Sequence, residues 1–338
     1  MIKEALEQVI HKENLSEETM TIVMTEIMNG EVNEILLSSF LTALKIKGET
    51  ADEIAGAAKV MREKADKIDL EALDTIDTCG TGGDGVGTFN ISTGVAFVLA
   101  AADLKVVKHG NRSISSKCGS ADVLEEMNVN LDLDKEKIKK CILEENIGFL
   151  FAPNHHQAMK YAMTVRKTLG FRTIFNLLGP LSNPALAKKQ LLGVYDAHLT
   201  ETMALALQKV GVERALVVHG SDGLDEITIT GPTKMTELNN GQITTYFVKP
   251  EDFGLKAASI EDIKGGNKEE NAAILKAIFN GEESPKTDIL LLNSGAALYI
   301  AGKVKNIEEG ITMARELIRS QKVYKKLESY VNYTKKLA

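Results

Sequence analysis

Short apolar, β-branched runs separated by helix-length stretches dominate most of this chain, and they admit few folds. The runs lie at 104–107, 148–151, 191–195, 215–218 and 289–292. Helical periodicity fills the intervals and flanks, at 93–102, 119–128, 135–145, 155–169, 200–210, 267–280 and 307–329. Strands joined by crossovers of that length pair in parallel and are buried on both faces. The reading is therefore α/β with a mainly parallel central sheet. Residues 227–248 look more antiparallel, with Asn240-Gly241 as a tight turn. The start of the chain differs. Ser16 caps a helical run that ends at Met28, where Asn29-Gly30 stops it. Residues 33–46 place Ile35, Leu36, Phe40, Leu41 and Leu44 at helical spacing. Thr50 and Glu53 form a capping-box pattern for a helix reaching about Ala65. Residues 66–77 have no comparable face and read as a linker. A small all-helical domain, 1–65, thus precedes a larger α/β domain, 78–338.

At 338 residues the chain has length for about two domains. No apolar run reaches a membrane span; the stretch at 95–102 is stopped by Asp103 and Lys105. Lys3 and Glu4 precede any apolar segment, which is not a secretory pattern. The three cysteines, Cys79, Cys118 and Cys141, are too dispersed for a metal-binding pair, and their odd number favours a reducing compartment. The 40 basic and 47 acidic residues give a net charge of −7. That balance argues against nucleic acid as a partner, while leaving room for a local basic pocket around a phosphorylated small molecule. A cytoplasmic enzyme is the expectation.

Residues 79–93 read Cys-Gly-Thr-Gly-Gly-Asp-Gly-Val-Gly-Thr-Phe-Asn-Ile-Ser-Thr. Gly80, Gly82 and Gly85 match a dinucleotide fingerprint literally, but residues 74–79 make a poor strand and no helix follows at once. Ser92 or Thr93 is the natural cap of the next helix. Many backbone N–H groups feeding a helix N-terminus suit a diphosphate, or else the glycines serve only a tight turn. Asp84 within the loop would repel phosphate, which calls for a divalent ion or a ligand hydroxyl nearby. Residues 108–116 mass Lys108, His109, Asn111, Arg112, Ser113, Ser115 and Ser116 after a strand, a donor set suited to phosphate. For His109, general base, ligand contact and loop ordering all fit. Ser120 doubles as a cap for the helix that follows. On 155–169, His155 and Arg166 are eleven positions apart, which places them about 20° apart around one helix and roughly 16 Å apart along it. Arg166 suits a carboxylate, His155 another part of the cleft. Residues 170–184 read as a connection broken by Gly179, Pro180 and Pro184. Asp222, Asp225 and Glu226 follow the run at 215–218 and offer hard oxygen ligands for Mg²⁺. Zinc and structural calcium have no supporting pattern.

Taken together, residues 79–93, 108–122, 152–156 with Arg166, 172–184 and 218–226 closely resemble the anthranilate phosphoribosyltransferase family. Gln157 and Cys118 depart from its usual residues without touching an assigned role. The resemblance implies a helical domain, 1–65, joined by part of 166–187, that forms a homodimer, and a nucleoside phosphorylase/phosphoribosyltransferase-like α/β domain. It implies transfer of the phosphoribosyl group from 5-phosphoribosyl 1-diphosphate to the amine of anthranilate, in tryptophan biosynthesis. It further implies that Gly80, Gly83, Asp84, Thr88, Asn90, Ile91, Ser92, Thr93, Lys108, His109, Gly110, Asn111, Arg112, Ser113, Ile114, Ser115, Ser116 and Ser120 bind the ribosyl diphosphate. Gly80, Asn111 and Arg166 would contact anthranilate, with His155 a further candidate. Ser92, Asp225 and Glu226 would hold Mg²⁺, up to two ions per monomer, and no acid or base is assigned. The alternatives are a pyrimidine nucleoside phosphorylase, whose basic loop usually lacks the His-Gly-Asn-Arg run of 109–112, and a nucleic-acid-binding paralogue without transferase activity, which would carry a basic stripe.

Overall fold

A computed structural model describes residues 1–70, 73–83, 85–113 and 117–337. The chain opens with helices α1 (Ile2–Ile10), α2 (Glu17–Met28), α3 (Glu34–Lys47) and α4 (Ala51–Lys64). Side chains that satisfy the orphan N–H groups of a first turn set where these helices begin. The Ser16 hydroxyl accepts from the Thr19 N–H at 3.1 Å, and Asn33 accepts from the Leu36 N–H at 2.9 Å. Thr50 and Glu53 make the expected reciprocal box at the start of α4. Leu37, Phe40, Leu41 and Leu44 of α3 are buried, but Ile35 is 83% exposed.

The rest of the chain builds one seven-stranded sheet in the order β3-β2-β1-β4-β5-β6-β7. Strands β1 (Thr75–Gly80), β2 (Lys105–Gly110), β3 (Ile147–Phe151), β4 (Lys189–Gly193) and β5 (Arg214–Gly220) are parallel. β6 (Thr233–Asn239) and β7 (Gln242–Val248) complete the sheet as the expected antiparallel hairpin. Asn240 and Gly241 both take positive φ at its turn, +46° and +91°. Helices α5 (Ile91–Ala101), α6 (Ser120–Glu126), α7 (Lys135–Glu145), α8 (Ala152–His155), α9 (Lys160–Leu169), α10 (Ile174–Leu181) and α11 (Leu199–Lys209) alternate with the strands, and α12 (Lys268–Phe279), α13 (Pro285–Ile300), α14 (Ile307–Arg319) and α15 (Lys322–Lys336) follow them. One core lies under α5, α13 and the first three strands. The other joins the N-terminal helices to α9, α10, α11 and one face of the sheet.

Several segments depart from the sequence reading. Residues 289–292 are not a strand but the middle of α13, which is buried almost all round and so lacks a helical stripe. Residues 75–80, read partly as linker and as a poor strand, are the interior strand β1, between β2 and β4, with Asp77 and Thr78 buried within it. The helix expected over 155–169 is broken into α8, a single 3₁₀ turn at Gln157–Met159 and α9, so the one-helix geometry for His155 and Arg166 does not hold. The 170–184 connection contains α10, with Pro180 in its last turn. Gln321, at φ +63°, divides 307–329 into two helices. Asn90 and Gly119, not Ser92, Thr93 or Ser120, occupy the cap positions of α5 and α6. Among the described residues no helix is long and apolar enough to cross a membrane.

Candidate active site

The strand order reverses about β1, with β2 and β3 on one side and β4 and β5 on the other. In an open parallel sheet such a switch point leaves a crevice beyond the strand ends. The loop after β5 returns over that crevice. A Cβ on Gly80 would lie 2.3 Å from Asp225 Oδ2, and one on Gly193 would lie 1.5 Å from the Asp225 carbonyl oxygen. Glycine at the ends of β1 and β4 is what lets the acidic loop sit against the sheet. Asp225 Oδ2 then accepts from the Gly82 N–H at 2.7 Å. Thr81 donates its N–H to the Gly193 carbonyl at 2.9 Å, and its hydroxyl accepts from the Tyr195 N–H at 3.1 Å. Arg172 stacks over the Tyr195 ring at 4.1 Å and donates to the Gly83 carbonyl.

Beneath this loop Lys108 is a buried ammonium. Its Nζ donates to the Thr78 carbonyl at 2.5 Å and to the Ser92 hydroxyl at 3.1 Å. Burial lowers its pKa, opposed by the nearby Asp77, Cys79 and Glu226. Asp77 accepts from the His109 N–H at 3.2 Å and from Asn183 Nδ2 at 2.8 Å. Burial pushes its carboxyl up to about 6, against the pull of Lys108 and those donors. The strand end carrying Lys108 and His109 is thereby fixed from below.

His109 and His156 face each other with ring centroids 5.1 Å apart. His109 Nδ1 lies 3.2 Å from the Gly179 carbonyl and must be the protonated nitrogen, since a carbonyl only accepts. His155 is tied the same way to the Asp66 carbonyl at 2.8 Å. Burial depresses all three imidazoles, His156 to about 4; neighbouring histidines add to the effect at His109 and His156, while at His155 Lys135 adds to it and Asp66 opposes it. The Nε2 atoms of all three are buried without a hydrogen-bond partner among the described residues. His109 is thus a neutral side chain and adds no charge to a phosphate site. Arg166 is half-buried against the Phe175 ring, 5.4 Å from its centroid, and makes no ion pair among the described residues. Burial alone lowers its pKa.

Arg112 is engaged by Glu125 at 2.6 Å and Asp122 at 3.2 Å. The Ser113 N–H donates to Asp122 at 3.2 Å, and the Ser120 hydroxyl to the Asn111 carbonyl at 3.2 Å. A cavity of about 400 Å³ is lined by Gly83, Val86, Thr88, Lys117, Cys118 and Lys264. Asp84, Ile114, Ser115 and Ser116 lie outside the described residues. Sequence reasoning missed Asp77, Asn183, His156 and Arg172 as parts of this site. The doubled histidine at 155–156 was visible, but not which ring meets His109. A buried Asp-Thr pair inside a strand was the available signal for Asp77, and it counted instead against the strand.

Among the described residues no three His, Cys, Asp or Glu side chains converge as a metal cage. Ser92, Asp225 and Glu226 offer a hydroxyl and two carboxylates: hard oxygens, few in number. That set suits Mg²⁺, which keeps waters and takes oxygens from a bound phosphate, and does not suit zinc.

A glycosyl transferase family α/β domain model matches residues 72–324, and the helical bundle domain model of that family matches 3–65. Anthranilate phosphoribosyltransferase of Acetivibrio thermocellus is 54% identical over 334 residues, covering 99% of this chain and 97% of the relative. That of Alkaliphilus metalliredigens is 50% identical, over 100% and 99% of the two chains. The crystal structure of the Thermus thermophilus enzyme superposes with a TM-score of 0.92 at 43% identity, covering 98% and 99% of the chains. The Saccharomyces cerevisiae enzyme in complex with PRPP and Mg superposes at 0.84 with 30% identity, over 95% and 92%. Matches of this extent take in both the helical start and the strand-end crevice: the chain belongs to the anthranilate phosphoribosyltransferase family, enzymes that transfer the phosphoribosyl group of PRPP to anthranilate in tryptophan biosynthesis.

Proposed function

We propose that the crevice divides the reaction between its two walls, with anthranilate held from the α9–α10 side and the ribosyl diphosphate from the sheet side. The observation that carries this reading is Asp225, packed against bare Gly80 and bonded to the Gly82 N–H, which sets an acidic loop directly on a glycine loop suited to diphosphate. On the sheet side Gly80, Gly83, Asp84, Thr88, residues 90–93, residues 108–116 and Ser120 take 5-phosphoribosyl 1-diphosphate. Ser92, Asp225 and Glu226 hold Mg²⁺, up to two ions. When bound, Mg²⁺ neutralises charge on the diphosphate leaving group. Facing this wall, Arg166 receives the carboxylate of anthranilate; its guanidinium is half-buried with no ion-pair partner among the described residues, and Arg recognises carboxylate bidentately. Gly80 and Asn111 reach that contact from the sheet side; His155, a further candidate, is tied to the Asp66 carbonyl. The amine attacks ribose C1 as the C1–O bond to diphosphate breaks, so positive charge develops on the sugar. No strong base is needed: the amine grows acidic as it bonds to C1, and water or a weak nearby group takes its proton.

The same reading makes 1–65, with part of 166–187, a dimerising helical domain, and, with the connection expected over 66–77 giving way to β1 at Thr75, the rest of the chain the catalytic domain of a cytoplasmic homodimer. Ile35 and Ile46, 83% and 76% exposed, support it. They are eleven positions apart on α3 and so project within about 20° of each other, two exposed isoleucines with Ser38, Ser39 and Thr42 between them on a face that a second copy of the chain would cover. The test is the purified chain with 5-phosphoribosyl 1-diphosphate and Mg²⁺, following loss of anthranilate fluorescence and offering adenine, orotate and nicotinate in parallel. Consumption of anthranilate alone, abolished by chelating Mg²⁺, is expected. Turnover of another acceptor with anthranilate untouched would overturn the reading.

A further inference from the structure

We propose that Asn271, remote from both substrate walls in sequence, is a positioning residue that fixes which end of the Asn90 carboxamide is offered to the ribosyl diphosphate; this rests on Asn90 being one of that ligand's contacts. A strap at 264–267 lies along the glycine-rich segment. The Gly265 N–H donates to the Gly87 carbonyl at 3.0 Å, and Lys264 bridges to Thr88. A Cβ on Gly265 would lie 2.5 Å from the Phe89 nitrogen, so the strap approaches only because that residue is glycine. Asn271, in the first turns of α12, is 1% exposed and joins the strap to Asn90.

A carboxamide has an accepting end and a donating end, and burial alone does not say which faces where. Here backbone groups of fixed polarity decide. The Gly266 N–H can only donate, and it meets Asn271 Oδ1 at 2.8 Å. Asn271 therefore turns Nδ2 toward Asn90, donating to Asn90 Oδ1 at 3.0 Å. At the other end of the chain of bonds the Cys118 carbonyl can only accept, and it meets Asn90 Nδ2 at 3.2 Å. The Cys118 sulfur lies 3.4 Å from Asn90 Oδ1 and 3.5 Å from the Gly119 carbonyl, two acceptors for its single hydrogen, so the direction rests on the two backbone groups. Both ends enforce one direction, so Asn90 keeps its oxygen inward. The remaining Nδ2 hydrogen is the donor the side chain has left for a ligand. An anionic phosphoribosyl group needs that donor and would be repelled by the oxygen. Linked bonds of this kind reinforce one another.

Reversing the direction is the test. Asn271→Asp keeps the shape but accepts at both oxygens, so it draws Asn90 Nδ2 inward and turns Asn90 Oδ1 out. Asn271→Leu removes both bonds without reversing them. Steady-state kinetics of the full-length enzyme with Mg²⁺ should give a KM for 5-phosphoribosyl 1-diphosphate raised about tenfold or more in Asn271→Asp, consistent with losing a hydrogen bond to a charged group. The KM for anthranilate should stay put, and Asn271→Leu should affect the diphosphate KM less than Asn271→Asp even where it lowers the melting temperature more. Each variant is then combined with Asn90→Ala; acting through Asn90 predicts no further change in KM in that background. A diphosphate KM that tracks melting temperature across the variants, or effects that add fully to Asn90→Ala, would overturn the proposal. If Asn90→Ala itself leaves the diphosphate KM unchanged, the assignment of Asn90 as a contact fails instead. If Asn90→Ala raises it and both Asn271 variants match the parent, only the inference about Asn271 fails.

Discussion

Asp225 and Glu226 are adjacent, and their use depends on what lies beside them. Asp225 reaches the glycine loop, while Glu226 is buried within the electrostatic reach of Lys108. A metal role predicts that Asp225→Asn raises the Mg²⁺ needed for half-maximal rate, with activity partly recovered at high Mg²⁺. Replacing both should remove most activity without unfolding the chain, because strand-end loops contribute little to a core. Initial rates against free Mg²⁺ check this; an unchanged requirement together with a lost limb of the pH–rate profile would favour proton transfer. The buried imidazoles predict a pH effect on stability. His156 sits at about 4 against an ordinary 6.5, and His109 and His155 are depressed too. The unfolded chain therefore binds more protons than the folded one through this window, so stability is lost as pH falls from about 6.5 toward 4. Asp77, raised from 3.8 to about 6, works the other way, losing stability as pH rises between those values. Three histidines outweigh one carboxyl, and the net slope should be positive. His156→Gln should flatten it by up to about 1.4 kcal/mol per pH unit, read from denaturant unfolding at pH 4.5–6.5. An unchanged slope would contradict the account.

At the level of elements, the helical start is locked by one buried carboxylate. Glu53 is fully buried and accepts from the Leu15 N–H at 2.9 Å, the Thr50 N–H at 2.8 Å and Lys47 Nζ at 3.0 Å, tying α4 to the turns before α2 and after α3. Removing one partner of a buried pair strands the other charge, so Glu53→Ala should destabilise the protein by about 3–5 kcal/mol in urea unfolding. A loss under about 1 kcal/mol would mean that the pair is spectator to the fold. The Thr50–Glu53 box was legible because its two halves are local in sequence, as was the Asn240-Gly241 hairpin. Where the sequence misled, the cause was burial on every side or polarity serving a distant partner. In α13 no solvent-facing side marks the period. In β1, Asp77 and Thr78 break an apolar run because their side chains bond to other segments, the Asp77 carboxylate accepting from Asn183 and the Thr78 hydroxyl donating to the Ser92 carbonyl. The basic and acidic loops of the site were readable as chemistry; the ring that meets His109, and the Arg172 reach to Gly83, follow from tertiary packing and were not.

Across the whole molecule, α9 and α10, which carry Arg166 and flank Arg172, share a core with the N-terminal helices, whereas Gly80 and Lys108 lie at strand ends of the sheet and Asp225 in the loop after β5; the proposed crevice would run between these two groups. If α3 also carries the two-fold contact, Ile35→Glu with Ile46→Glu should give a monomer in sedimentation equilibrium at micromolar concentration where the parent is a dimer. A monomeric parent would contradict it. The division of labour across the crevice is tested most directly by calorimetric titration of each substrate separately into Arg166→Ala and Asp225→Asn, with Mg²⁺ present. The predicted pattern is crossed. Arg166→Ala should weaken anthranilate by roughly 10- to 150-fold, the loss of about 1.5–3 kcal/mol from a charged hydrogen-bonded partner, with ribosyl-diphosphate affinity nearly unchanged. Asp225→Asn should weaken the ribosyl diphosphate and spare anthranilate. Equal weakening of both substrates by both substitutions would contradict the two-walled site.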